Sequence, residues 1–135
     1  MNEEITSDAL KSFFRKDLFA EFVGIELLEA GDGRATARLK LRDHHRNGLG
    51  LVHGGAIFTL ADYAFAAASN SHGVDAVAIS ITISYFKAAK AGDVLTAEAK
   101  EIAVSRKIGT YAISVFNQNG DTVAFMQGTA FRKTP

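Results

Sequence analysis

The sequence predicts an α+β domain in which one curved antiparallel sheet wraps a single long buried helix, with a short helix at the N-terminus. Three observations carry this. Residues 56–71 place apolar side chains around almost the whole helical circumference, and such a helix is enclosed rather than laid on a surface. Beyond Gly73 the hydrophobic period changes to two, over residues 76–87, 94–108, 110–118 and 122–132, the signature of strands with one buried face. Two more segments of period two, 25–30 and 34–41, precede the long helix. A helix apolar on every side needs cover from several directions, and a bent sheet supplies it.

The elements follow in order. Ser7 can cap a helix in which Leu10, Phe13, Phe14 and Leu18 recur at helical spacing, with Lys11, Arg15 and Lys16 on the other side. This N-terminal helical segment occupies residues 1–23 and Gly24 ends it. Next, Ala35, Ala37, Leu39 and Leu41 alternate with Thr36, Arg38 and Lys40, and Gly31-Asp32-Gly33 turns the pair into a hairpin. Residues 42–55 read as loop, with His44-His45 exposed in it. Alanines keep the long helix slim enough to be wrapped closely. Gly92-Asp93 and Gly109 punctuate the later strands, and Asn119-Gly120 reads as a type I′ hairpin turn. No linker or repeat interrupts the chain, so residues 1–135 are expected to form a single domain.

Composition narrows the function. With 135 residues, 47% of them hydrophobic, the chain can bury a core unaided. The absence of cysteine rules out disulfides, thiolate metal sites and cysteine nucleophiles. A net charge of zero without a basic run argues against nucleic-acid partners. The start, Met1-Asn2-Glu3-Glu4, is acidic where a signal peptide is basic. No apolar stretch approaches the roughly 20 residues that span a bilayer. A cytoplasmic protein without a membrane partner is expected. The four histidines, at 44, 45, 53 and 72, lack ligand spacing, and no metal is expected.

One charge stands out. Between Arg46 and Asp75 the only formal charge is Asp62, inside the apolar helix. A carboxylate there is costly unless something pairs with it or uses it. Just upstream, His53-Gly54-Gly55 opens the helix with bare glycine amides, a natural trap for negative charge. The plainer readings are an Asp62 exposed on a narrow face or satisfied by Thr59, and a glycine pair that serves a tight turn.

The run His45-Arg46-Asn47-Gly48-Leu49-Gly50-Leu51-Val52-His53-Gly54-Gly55, followed by residues 56–62, resembles the signature of the hotdog-fold acyl-CoA thioesterases, and most closely their phenylacetate-degradation (PaaI-type) branch. Asn47, the His-Gly-Gly turn and Asp62, nine residues after His53, all fall on that pattern. Ser84-Tyr85-Phe86-Lys87, Gly92-Asp93 and Gly128-Thr129-Ala130-Phe131-Arg132 resemble its later strands and turn. Two departures are visible. Ala88-Ala89 stands where the family often has proline. The hydroxyl that positions water in some relatives has no assigned counterpart, with Ala78, Ser80 and Thr82 in the region.

The resemblance implies thioester hydrolysis, with coenzyme A as part of the substrate and no separate cofactor. The Gly54 amide, aided by Gly55 and the helix dipole, would hold the oxyanion. Asp62 would act as general base on water or as a direct nucleophile. Asn47 would hold the water or orient His53, and His53 would act at the site or brace its loop. Gly54 and Asp62 are eight residues apart on one helix, about 12 Å along its axis. Both must reach one carbonyl carbon. The site is therefore expected between subunits of a homodimer or homotetramer, in keeping with the family's side-by-side helices. Arg106 and Lys107 are candidates for the CoA phosphates, with Lys87, Lys90 and Arg132 behind them. Phe58, Tyr63, Phe65, Leu49 and Leu51 are candidates for the acyl pocket. The competing readings are a hotdog hydratase or dehydratase and a non-catalytic acyl-CoA-binding module.

Overall fold

The computed structural model describes residues 17–133. Ser7 and most of the N-terminal helical segment lie outside the described residues. What is described of it is α1 (Leu18–Val23), capped by Asp17, whose Oδ1 accepts the Ala20 N–H at 3.0 Å, and closed by Gly24 in the left-handed conformation. There follow β1 (Glu26–Gly31), β2 (Arg34–Lys40), a 3-10 turn (Asp43–His45), α2 (Gly54–Ser69), β3 (Ala76–Tyr85), β4 (Val94–Val104), β5 (Ile108–Phe116) and β6 (Thr122–Arg132). The six strands form one antiparallel sheet in the order β1-β2-β4-β5-β6-β3. The sheet curls around α2, which touches all six strands.

The alternation read from sequence sets this packing. Ala35, Ala37 and Leu39 of β2, Leu95 and Ala97 of β4, and Tyr111, Ile113 and Val115 of β5 are buried. They meet Leu60, Ala61, Ala64, Ala67 and Ala68 of α2, all with essentially no exposure. Small side chains on the helix let the sheet come close. At Gly128 a Cβ would stand 2.6 Å from the Phe65 ring, so only glycine fits beneath it.

Several expectations are corrected. Helix α2 starts at Gly54, two residues early, because the His53 ring caps it and draws the glycine pair into the first turn. Gly109 lies inside β5 rather than ending a strand. It makes room for Tyr111, whose ring would stand 2.9 Å from a Cβ there. The turn between β4 and β5 is instead formed by residues 105–107. Asn119-Gly120 is not a type I′ turn. Only Gly120 has positive φ, and its N–H donates to the Asn117 carbonyl at 3.0 Å, the pattern of a type I turn closed by a glycine bulge. Positive φ at two successive central residues occurs instead at Asp32 and Gly33. His45 is buried, not exposed. Its Nδ1 accepts the Arg42 N–H at 2.9 Å and its Nε2 donates to the Val23 carbonyl at 2.7 Å, tying the loop to α1.

Two surfaces of the described residues bear on the site. A stripe of α2 that includes Gly55, Thr59, Asp62 and Ala66 is only partly covered. Strand β3 is an edge strand whose Ile79 is 58% exposed and Val77 45%. Among the described residues no helix is long and apolar enough to cross a membrane.

Candidate active site

The start of α2 is built by its own side chains. His53 Nδ1 accepts the Gly55 N–H at 2.8 Å. Nδ1 therefore carries no proton, and the neutral ring keeps its hydrogen on Nε2. The His53 carbonyl accepts the Ala56 N–H at 3.0 Å, and the Tyr85 hydroxyl donates to the Gly54 carbonyl at 3.0 Å. The Gly55 amide is thus committed within the chain. The Gly54 N–H has no partner among the described residues.

Asn47 lies across a cleft from it. Its Oδ1 accepts the N–H groups of Leu49 at 2.9 Å and Leu51 at 3.1 Å, which folds the loop back on itself. The plain turn reading of Asn47 is therefore correct for its oxygen, while its NH2 makes no hydrogen bond among the described residues. Asn47, Leu51, Gly54, Ile57, Tyr85 and Lys87 line this cleft of about 320 Å³. On the other side of the helix start, Phe19, Phe22, His53, Gly55 and Thr59 line a second, mainly apolar cleft of about 340 Å³.

Asp62 lies in neither cleft. It sits two turns along α2, half-buried, without a hydrogen-bond partner among the described residues. Thr59 does not satisfy it, because that hydroxyl donates to the Gly55 carbonyl at 2.7 Å. Burial, and secondarily the charge of Asp17, pushes the Asp62 carboxyl above its ordinary value. Asn47 and Gly54 are thus brought together, and Asp62 of the same chain is kept away from both.

The remaining candidates sort by packing. Phe65 is fully buried against Tyr111 and Gly128, so it is core rather than acyl pocket. Tyr63 is also buried, its hydroxyl pushed up to about 12 by burial and then by Asp17. Phe58 packs half-buried against the core, and Leu49 is 84% exposed. Leu51 lines the first cleft, and Phe19 and Phe22 line the second, where their i, i+3 spacing beside Gly24 was the available signal.

Among the cations, Lys87 lines the first cleft but pairs with Asp121 at 2.6 Å. The Arg132 guanidinium donates to the Ser105 carbonyl at 2.8 Å and braces the β4–β5 turn. Lys107 lies 5.7 Å from the Phe131 ring centroid, and Arg106 is exposed beside it. Lys90 adjoins Asp93, lowering that carboxyl behind the larger effect of the Gln118 hydrogen bond. The register places the Arg106–Lys107 turn near the start of β3, through Ile108↔Phe131 and Val77↔Phe131. Tyr85 and the cleft are at the other end, nine residues on, or about 30 Å. Ser80 and Thr82 lie on the outer face with Gln127 and Thr129, while Ile81 and Ile83 face the core. They therefore point away from α2.

The fold and the open helix start define a hotdog-fold thioester hydrolase, and comparison with known proteins agrees. Residues 49–124 match the thioesterase superfamily. The chain is 41% identical over 119 residues to a putative esterase of Archaeoglobus fulgidus, covering 88% of this chain and 77% of that protein. It is 36% identical over 121 residues to the acyl-coenzyme A thioesterase PaaI of Escherichia coli, covering 90% and 86%. The E. coli PaaI structure superposes with a TM-score of 0.88 at 36% identity, covering 91% of this chain and 89% of that one. A hypothetical thioesterase of Streptococcus pneumoniae, solved with coenzyme A, superposes with a TM-score of 0.84 at 30% identity, covering 90% and 95%. The chain belongs to the thioesterase superfamily and resembles its PaaI-type members.

Proposed function

We propose that this protein is an acyl-CoA thioesterase whose active site combines Gly54 of one subunit with Asp62 of the partner subunit. The observation that carries it is the placement of both groups on one rigid helix, eight residues apart. At about 1.5 Å per residue the separation is about 12 Å, too far for both to act on one thioester carbon. Each is nevertheless accessible, the Gly54 amide in its cleft and Asp62 on the uncovered stripe of α2.

A two-fold assembly meets both needs. Pairing β3 with β3 of a second copy covers the edge strand. Antiparallel pairing sets the start of one β3 against the end of the other. That lays the Arg106–Lys107 turn of the partner near the cleft, where the CoA phosphates would lie. A dimer of such dimers is compatible with the same contacts.

In this site the thioester carbonyl accepts the Gly54 N–H, and Asp62 of the partner subunit approaches the carbon. As base, it takes a proton from water while the water oxygen bonds to carbon. As nucleophile, it bonds to carbon itself, and water then cleaves the anhydride. Either way the C–S bond breaks and the CoA thiolate leaves. The raised Asp62 carboxyl suits a base better than an ordinary surface aspartate does. The acyl group is aryl or medium-chain, held against the apolar surfaces flanking the helix start.

A thiol-release assay over a panel of acyl-CoA esters, run on the parent and on Asp62→Asn, tests the reading. Turnover of at least one ester, lost in the variant, supports it. A variant that matches the parent removes Asp62 from the chemistry. A parent that binds the esters without releasing thiol identifies a binding module.

A further inference from the structure

Gly54 is joined to its neighbours by two peptide units, which carry four polar groups. In the peptide between His53 and Gly54, the carbonyl accepts the Ala56 N–H. In the peptide between Gly54 and Gly55, the carbonyl accepts the Tyr85 hydroxyl at 3.0 Å and the N–H donates to His53 Nδ1 at 2.8 Å. Three of the four groups are held inside the chain. The fourth, the Gly54 N–H, has no partner among the described residues, and Gly54 lines the cleft.

The restraint matters because of the residue type. Two adjacent glycines at the first turn of a helix have the greatest backbone freedom available, and an oxyanion donor contributes only when its direction is fixed in advance. Ala56 holds the first peptide and His53 holds one side of the second. The Gly54 carbonyl, on the other side, takes a first helical hydrogen bond of α2 and is held from outside the helix by Tyr85, which comes from the end of β3, 31 residues further along the chain. Its ring lies 3.4 Å from where a Gly54 Cβ would be, so it also backs the glycine sterically. Tyr85 is half-exposed, yet local burial raises its phenol above the ordinary value, which keeps the hydroxyl protonated and able to donate.

We propose that Tyr85 is a positioning residue for the oxyanion hole: its hydroxyl, together with His53 Nδ1, locks the Gly54–Gly55 peptide so that the Gly54 N–H stays aimed into the cleft. This rests on the reading of Gly54 as the oxyanion donor. It adds a connection that reading did not contain. The edge strand that a second copy would cover also carries the group that sets the oxyanion hole.

The test is steady-state kinetics of Tyr85→Phe on the acyl-CoA ester the parent hydrolyses fastest, with melting temperature measured alongside. Removing a whole oxyanion donor costs roughly 100- to 1,000-fold in kcat, so loosening one is expected to cost about tenfold or more. KM should stay within about twofold of the parent. The melting temperature should stay within about 2 °C. A second variant carries difluorotyrosine at position 85, whose phenol ionises at lower pH. Its kcat should fall on the alkaline side, where the parent's does not. A Tyr85→Phe enzyme with parental kcat overturns the proposal, as does a difluorotyrosine enzyme with the parent's pH profile. A loss of kcat matched by a loss of melting temperature, with KM rising alongside, makes Tyr85 a packing residue and overturns it too. Gly54→Pro separates this from the underlying reading. If that variant is inactive while Tyr85→Phe is unimpaired, the oxyanion assignment stands and only the lock fails. If Gly54→Pro is fully active, the oxyanion assignment itself fails.

Discussion

The two ends of α2 are finished differently. At the C-terminal end the side chains that follow the final turn are held by hydrogen bonds. Ser71, with no exposure, donates to the Ala68 carbonyl and accepts the Gly33 N–H, both at 2.7 Å. The Asn70 amide spans Ala66 and Ala76. His72 and Tyr111 both bond one oxygen of Glu101. At the N-terminal end the chain restrains the backbone too, but the Gly54 N–H has no partner among the described residues and Gly54 lines a cleft. The first N–H groups of a helix have no partner within it, so the one at Gly54 is available to a ligand. The closed end stabilises the fold, and the open end is where we propose that the chemistry lies.

The largest effect should come from the open side. Asp62→Asn is nearly isosteric and removes both basicity and nucleophilicity. It should lower kcat by about 100-fold or more, read in the thiol-release assay. The same change should leave the fold intact and raise the melting temperature at pH 7. The sign follows from burial. The folded Asp62 carboxyl titrates above its ordinary value of 3.8, so the folded state holds this proton more tightly than the unfolded chain. Stability from this group is therefore present at low pH and lost as pH rises through that window. The variant's thermal advantage should be present at pH 7 and vanish near pH 3. An equal advantage at both pH values would break the link to ionisation.

The closed end should show the reverse pattern. Ser71→Ala strands the buried Gly33 N–H and should cost about 1–3 kcal/mol of stability. Denaturant titration measures that loss, and kcat should stay within about twofold of the parent. A large fall in kcat without loss of stability would erase the distinction between the two ends. The smallest effect is on pH dependence of turnover. The acid limb of kcat should lie above the ordinary carboxylate value of 3.8, because burial raises Asp62. A limb at or below that value would assign the titration to another group.

Sequence pattern reached the closed parts of the molecule more easily than the open ones. The strands were legible because each buries one face, so alternation along β2, β4, β5 and β6 reports the sheet directly. The long helix was legible for the same reason, and an Asp62 exposed on a narrow face was among its plainer readings, although the extent of the partly covered stripe was not foreseen. Its apolar Ala66 reads like core, and only a second surface distinguishes the two. The helix start was placed two residues late because glycine pairs argue for loop, and capping by the His53 ring is invisible in a propensity. His45 was misplaced because a histidine beside another in a polar loop gives no sign of the Val23 carbonyl 22 residues away. Among the site candidates, Asn47, Gly54 and Asp62 were singled out from motif and charge isolation. Tyr85 and Phe22 were not assigned roles, since their contacts at the helix start arise only in the folded chain. Strand order was also hidden: β3 pairs with β6, the last strand, and local pattern says nothing of that.

The central claim is that each site takes Gly54 from one subunit and Asp62 from the other, and subunit mixing tests it most directly. Gly54→Pro removes the amide hydrogen outright, and Asp62→Asn removes the carboxylate. Each homodimer should be nearly inactive. Unfolding and refolding the two together makes about half the dimers mixed, and by two-fold symmetry each mixed dimer carries one site with both lesions and one with neither. About a quarter of the parental activity per site should return. A Gly54→Ala control, and native mass spectrometry of the mixture, establish that the loop is intact and the heterodimers are present. Recovery near a quarter is the predicted result. No recovery from confirmed heterodimers with an intact loop would contradict the shared site and return both groups to separate roles within one subunit.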